Sequence, residues 1–203
     1  MFDPESVIEF PARLASTQGL ETKVEVRWPT DEEWLKRARA RKVIIRRPRA
    51  GVSETIPPPP GQGDVDLYEA IKHNGAPVMT AAEADKVLDA LGKADVIDVR
   101  IEGIQAEVEM VILSGSVTMS LRIPTADEVV SFRRAAVRLL DLPFSQQEVR
   151  INPEAGARLF DSCGGKSGDY KSAIPVTHKD AAVRAVIDFV DRQLGPQPDE
   201  ASF

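Results

Sequence analysis

Cysteine and histidine are nearly missing from this chain. A single cysteine, Cys163, among 203 residues excludes a disulfide within the chain and fits a reducing compartment. The two histidines, His73 and His178, stand 105 residues apart. With one thiol they give no zinc-ligand spacing, so neither a metal nor another cofactor is expected. Aromatic residues amount to only 5%, which points to small aliphatic packing units. Long apolar runs are missing too. A membrane-spanning helix needs about 20 apolar residues, and no window of the sequence approaches that. The opening MFDPESVIEF is acidic and has no apolar signal core. A soluble intracellular protein is the expectation.

What is present suits a globular chain. The hydrophobic share is 42% and the charged share 29%, near the averages of folded domains. Fifteen prolines suggest many loops. The net charge of −6 hides an uneven distribution. Lys36, Arg37, Arg39, Arg41, Lys42, Arg46, Arg47 and Arg49 follow one another without an intervening acid. They are eight of 26 basic residues, leaving 18 against 32 acids elsewhere, or −14 for the rest of the chain. Such a segment suits a polyanion, or the acidic surface of another copy.

Residues 5–10 and 22–28 read as strands; in the second, Val24, Val26 and Trp28 alternate with Lys23, Glu25 and Arg27. Pro29 ends it, and Thr30 with Glu33 forms a T-x-x-E capping box that opens a helix over 31–42. The stretch from Val43 to Gly63 reads as an extended, turn-rich connection, with prolines 57–60 as a polyproline spacer carrying a projecting arm. A short helix over 64–73 follows, then a second capping box, Thr80 and Glu83, on a helix ending near Leu91. Val96–Ile101, Gln105–Leu113 and Val117–Ile123 read as an antiparallel meander. Thr125 and Glu128 cap a helix expected over 126–141. An extended connection leads to a short helix at PEAGARLFDS, with Pro153 in its first turn. A glycine-rich loop at 164–168 precedes a last amphipathic helix.

The chain repeats itself. RWPTDEEW at 27–34 returns as RIPTADEV at 122–129, 95 positions later, and Pro77-Val78 returns as Pro175-Val176, 98 positions later. Order and spacing agree as well as residue type, which points to an internal duplication. The fold class expected is α+β: two related strand–helix–helix–helix halves around an antiparallel sheet, joined through the 96–123 meander, with a proline-rich extended arm. The first half covers 1–94, the second with its meander 95–195, and 196–203 is a flexible tail.

Catalytic patterns do not withstand inspection. Asp31, Glu32, Glu33, Asp127 and Glu128 sit in first helical turns, where acids complement the helix dipole. CGGKSG at 163–168 resembles a phosphate loop, but that motif needs glycine where Phe160 stands, between a strand and a helix. No nucleophile signature surrounds Cys163 or His178. A non-enzymatic protein is therefore expected, with no catalytic residues.

The segments VRWPTDEEWLKRAR at 26–39, RRPRAGVSET at 46–55 and LRIPTADEVVSFRRA at 121–135 resemble uncharacterised proteins encoded among phage and prophage tail genes. Some of these are similar to tail assembly chaperones, small acidic α+β proteins that hold tail subunits before assembly. The resemblance implies a structural or assembly protein of a phage-like particle, in the cytoplasm of a bacterial host or incorporated into a virion. Its partners would be other particle proteins or further copies of itself. The basic residues from Lys36 to Arg49 are the expected contact surface. The alternative is a nucleic-acid-binding module using the same residues, although no aromatic side chain interleaves them for base stacking. Least favoured is an enzyme whose site assembles from dispersed residues.

Overall fold

The computed structural model describes residues 3, 6–13, 21–41, 43–49, 52–56, 58–73, 75–113, 115–142, 146–171 and 173–194. Lys42, Pro57 and the tail 196–203 lie outside these residues, as do the side chains of Arg47 and Arg49. Among the described residues the chain forms nine strands and six helices, an α+β fold whose sheets are all antiparallel.

The first half begins with the hairpin β1 (Val7–Arg13) and β2 (Glu21–Arg27), paired from Val7↔Arg27 to Arg13↔Glu21. Val24 and Val26 are buried, as the alternation requires. Helix α1 (Asp31–Ala40) opens on the capping box of Thr30 and Glu33. A second hairpin follows, β3 (Val43–Arg49) and β4 (Val52–Ile56), then α2 (Gln62–Ile71) and α3 (Ala81–Gly92). The second half adds strand β5 (Asp95–Glu102) and then runs in the same order. It comprises β6 (Gln105–Ile112), β7 (Gly115–Arg122), α4 (Ala126–Ala136), β8 (Val137–Leu142), β9 (Gln146–Ile151), α5 (Pro153–Ser162) and α6 (Val176–Leu194).

Corresponding elements also make corresponding contacts. After α2 the chain bridges back to β2 at Val26↔Lys72; after α5 it bridges back to β7 at Ser120↔Lys166. The expected junction of the halves through the meander is not what forms. β5-β6-β7 is a sheet of its own, and the strands of the two halves meet in a four-stranded sheet ordered β4-β3-β9-β8. Two expected connections are thus hairpins. Helix α4 also stops at Ala136 rather than 141, because residues 137–142 pair with β9.

The halves share one continuous core, from Ile8 to Ile187. One face of the meander supplies Ala106, Val108, Met110, Ile112, Val117, Met119 and Leu121. At the seam the rings of Trp28 and Trp34 lie 6.0 Å apart, and the His178 ring meets Trp28 edge-on at 5.1 Å. Asp31 Oδ1 accepts the backbone N–H of Val176 at 2.9 Å, so the first residue of α1 satisfies an orphan donor of α6. Helices α5 and α6 cross so closely that a Cβ on Gly156 would stand 2.0 Å from Asp180 Oδ1 and 2.8 Å from its Cα. Gly156 is what lets the two backbones meet.

Candidate interaction surface

The four-stranded sheet is unlike the rest of the molecule. β3 and β4 are rich in Val, Ile and Thr, residues that fit a pleated surface. β3 pairs with β9 from Val43↔Val149 to Arg46↔Gln146, and β9 with β8 from Gln146↔Leu142 to Ile151↔Val137. Yet among the described residues of these strands not one side chain is buried. The whole core comes from elsewhere. The sheet rests on the body mainly through α1 and α4, and both its faces meet solvent to a large degree.

Residues directly opposite in antiparallel strands share a face. The register therefore gathers Val137, Leu139, Ile151, Val149, Val43 and Ile45 on one side. Leu139 is 55% exposed, Ile151 47% and Val137 37%. Isolated exposed aliphatics are ordinary, but a contiguous group of them marks an interaction site. Near Val43 and Ile151 this face runs into a groove of about 320 Å³ between α1 and α3, lined also by Trp34, Arg41, Leu88 and Asp89. Among the described residues, the outer edges of β4 and β8 carry no paired strand.

The basic segment divides between two roles. Arg37, only 11% exposed, donates from Nε to Asp64 Oδ1 at 2.9 Å and from Nη2 to Asp85 Oδ1 at 2.7 Å and Asp89 Oδ1 at 2.8 Å. Arg41 joins the cluster through Asp89 at 3.0 Å and through Asp85. Asp64 also accepts the Gly61 backbone N–H at 3.1 Å, within the first turn of α2. Arg37 thus clamps α1 onto α2 and α3. Arg39 lies 3.6 Å from Glu154 of α5 and remains exposed, as do Lys36 and Arg46. Pro58 and Pro59 do not lead away from the body; they line a groove beside Lys36 and Arg37.

The remaining residues singled out in the sequence have structural surroundings. Glu33 and Glu128 complete their capping boxes and also receive bidentate bonds from Arg27 and Arg122. The CGGKSG stretch lies against β7, with Lys166 and Ser120 exchanging backbone hydrogen bonds at 2.9 Å. Cys163 is buried, and desolvation pushes its thiol up. His178 is wholly buried, its Nδ1 2.8 Å from Tyr170 Oη, and burial lowers its pKa to about 4. Among the described residues no group of His, Cys, Asp and Glu is arranged to hold a metal ion, and no helix is long and apolar enough to cross a membrane.

The sheet surface escaped sequence reading because a strand without a buried face has no period-two pattern. The available signal was the β-branched content of VII at 43–45 and of VSETI at 52–56. Comparison of the chain with protein-family models, with curated proteins and with solved structures finds no match.

Proposed function

We propose that this protein is a structural or assembly component of a phage-like particle, acting through protein–protein contacts made by the four-stranded sheet. One observation carries the reading: a sheet that buries none of its described side chains in the body presents Val137, Leu139 and Ile151 to solvent. A sheet contributes to a fold by burying a face. One whose faces are at most partly covered, with Val137, Leu139 and Ile151 open to solvent, has surface left for a packing partner in another molecule. The repeated element order, the matching bridges and the repeated Arg–Glu corners support an internal duplication, so that the sheet is built from the two halves' second hairpins. The resemblance of residues 26–39, 46–55 and 121–135 to tail-region proteins supplies the setting.

The test is genetic. The coding sequence is deleted from the element that carries it and restored as wild type, Leu139→Lys or Ile151→Lys. Both positions are exposed, so the variants are expected to keep the wild-type circular dichroism and melting temperature. Particle assembly is expected to stall with either variant and to recover with wild type. Full recovery with both would overturn the reading. Charge reversal at Lys36 and Arg39, which lie on α1 outside the sheet, is expected to leave assembly intact; nucleic-acid retention lost with that variant would favour the polyanion alternative.

A further inference from the structure

We infer that the four-stranded sheet is one link of a head-to-tail series, in which the outer edge of β8 receives β4 from a second copy of this chain. The inference rests on the assembly role proposed above.

Strand order carries it. β3–β4 and β8–β9 are the corresponding hairpins of the two halves. Were they related by a two-fold axis, like strands would meet at the centre of the sheet, β3 on β8 or β4 on β9. The observed order is β4-β3-β9-β8. β3 meets the counterpart of β4, antiparallel, from Val43↔Val149 to Arg46↔Gln146. The hairpins therefore stand in tandem, and the chain contains one finished heterologous junction. The two partners of that junction recur at the ends of the sheet: β4 on one side, and β8, the counterpart of β3, on the other. Since β3 and β8 run in the same direction, β4 of a neighbouring copy lies antiparallel to β8, as β9 lies antiparallel to β3. Each copy added in this way leaves the same two edges, so the contact closes into a ring or extends into a filament.

The chemistry of the edges agrees. Protein edges are usually blunted by charged side chains, lysine above all, by proline or by a bulge. β8, VRLLDL, carries one charge of each sign, Arg138 and Asp141, but no lysine or proline, and its register with β9 runs through six successive pairs without a shift. β4, VSETI, offers Val, Thr and Ile, and the register shift in its hairpin lies between Arg46 and Arg49, near the turn. Main-chain hydrogen bonds along such an edge supply affinity, and the alternating side chains supply selectivity. A backbone contact of this kind is also little screened by salt, unlike one between exposed charges.

The experiment is light scattering of the full chain from about 10 μM to about 1 mM, a range that covers weak association. Average mass is expected to rise with concentration at both low and moderate salt. A constant mass of 22.2 kDa up to the highest concentration would overturn the inference without any variant. Polarity is tested with proline, which removes a backbone donor. Neighbouring amides of a strand point to opposite sides, so of Arg138→Pro and Leu139→Pro one loses only an outward donor, and likewise of Ser53→Pro and Glu54→Pro. The member of each pair that keeps the wild-type melt is taken. Each is expected to be a single chain alone. Mixed, they are expected to form a species of twice the 22.2 kDa chain mass and nothing larger. Self-association of either blocked variant alone would mean a two-fold edge and overturn the polarity. A monomeric wild type with Leu139→Lys still stalling particle assembly would remove this inference and keep the assembly role. A monomeric wild type with assembly unimpaired would remove both.

Discussion

Arg122 holds Glu128 by two hydrogen bonds, Nη2 to Oε1 at 2.8 Å and Nη1 to Oε2 at 3.1 Å, and its Nη1 also reaches the Ile123 carbonyl at 2.8 Å. Glu128 Oε2 in turn accepts the Thr125 backbone N–H at 2.8 Å. Ninety-five residues earlier Arg27, Trp28, Thr30 and Glu33 make the same set of bonds, bond for bond. In each half the arginine ends a strand and the glutamate sits in the first turn of the helix that follows. The pair fixes the angle of the strand-to-helix corner, and the same corner in each half precedes the hairpin that enters the shared sheet.

These corners respond to their caps. Thr30→Ala and Thr125→Ala are each expected to cost about 1 kcal/mol in urea unfolding, the usual loss when a hydroxyl N-cap is removed. The Arg122 guanidinium and the Thr125 amide hold the Glu128 carboxyl down at about 2, below its ordinary 4.5. The stabilisation from that carboxylate is present above the ordinary value and is lost as pH falls toward the depressed one. Glu128→Gln is therefore expected to flatten the acid limb of the stability curve.

Arg37 and Lys36 are neighbours in the same basic run, yet their substitutions are expected to differ sharply. Arg37→Ala strands Asp64, only 11% exposed, and leaves the 15%-exposed Asp85 to Arg41 alone. Breaking a buried ion cluster from one side costs about 3 kcal/mol. Lys36→Ala, on the exposed side of α1, is expected to stay within about 0.5 kcal/mol. Chemical denaturation of the two variants side by side checks this.

Gly156→Ala is expected to cost about 3 kcal/mol or more, since the added methyl would meet the Asp180 backbone at 2.8 Å rather than a movable side-chain tip. Gly63→Ala is the control: a Cβ there meets nothing within 4 Å. It is expected to be neutral or slightly stabilising, because alanine favours the helix. Melting temperatures of the two variants read the difference directly.

Much of the fold was legible in the sequence, and what was not has a common cause. The capping boxes of α1, α3 and α4 are written in contiguous residues, so Thr30, Thr80 and Thr125 marked three helix starts correctly. The meander was legible because Ala106, Val108, Met110 and Ile112 alternate with polar residues and face the core. The hairpins were not. With neither face buried, VIIRRPR and VRLLDL have no alternation to betray a strand. Leu139 and Leu140 even extend the helical spacing of Phe132 and Ala136, so α4 was drawn through β8. Arg37 looked like surface charge because its partners Asp64, Asp85 and Asp89 lie 27 to 52 positions away. The candidate surface belongs to the illegible part: it is defined by the burial it lacks.

His178 makes the seam between the halves sensitive to pH. Burial lowers its pKa from 6.5 to about 4. A depressed pKa contributes stability that is whole above the unfolded value and is lost as pH falls toward the folded one. Between pH 7 and pH 5 the loss from this residue is expected to be about 2 kcal/mol. His178→Gln is expected to lower stability at pH 7 but to remove most of that slope, which urea titrations at the two pH values measure.

The central claim is that copies of this protein meet one another along the edges of the four-stranded sheet. Peptide-resolved hydrogen–deuterium exchange of the full chain, dilute and concentrated, tests it most directly. The account predicts that protection rises with concentration in peptides covering 52–56 and 137–142, while β6, paired on both sides, stays unchanged. Protection that appears instead along α1 at Lys36 and Arg39, or nowhere in the sheet, would contradict it.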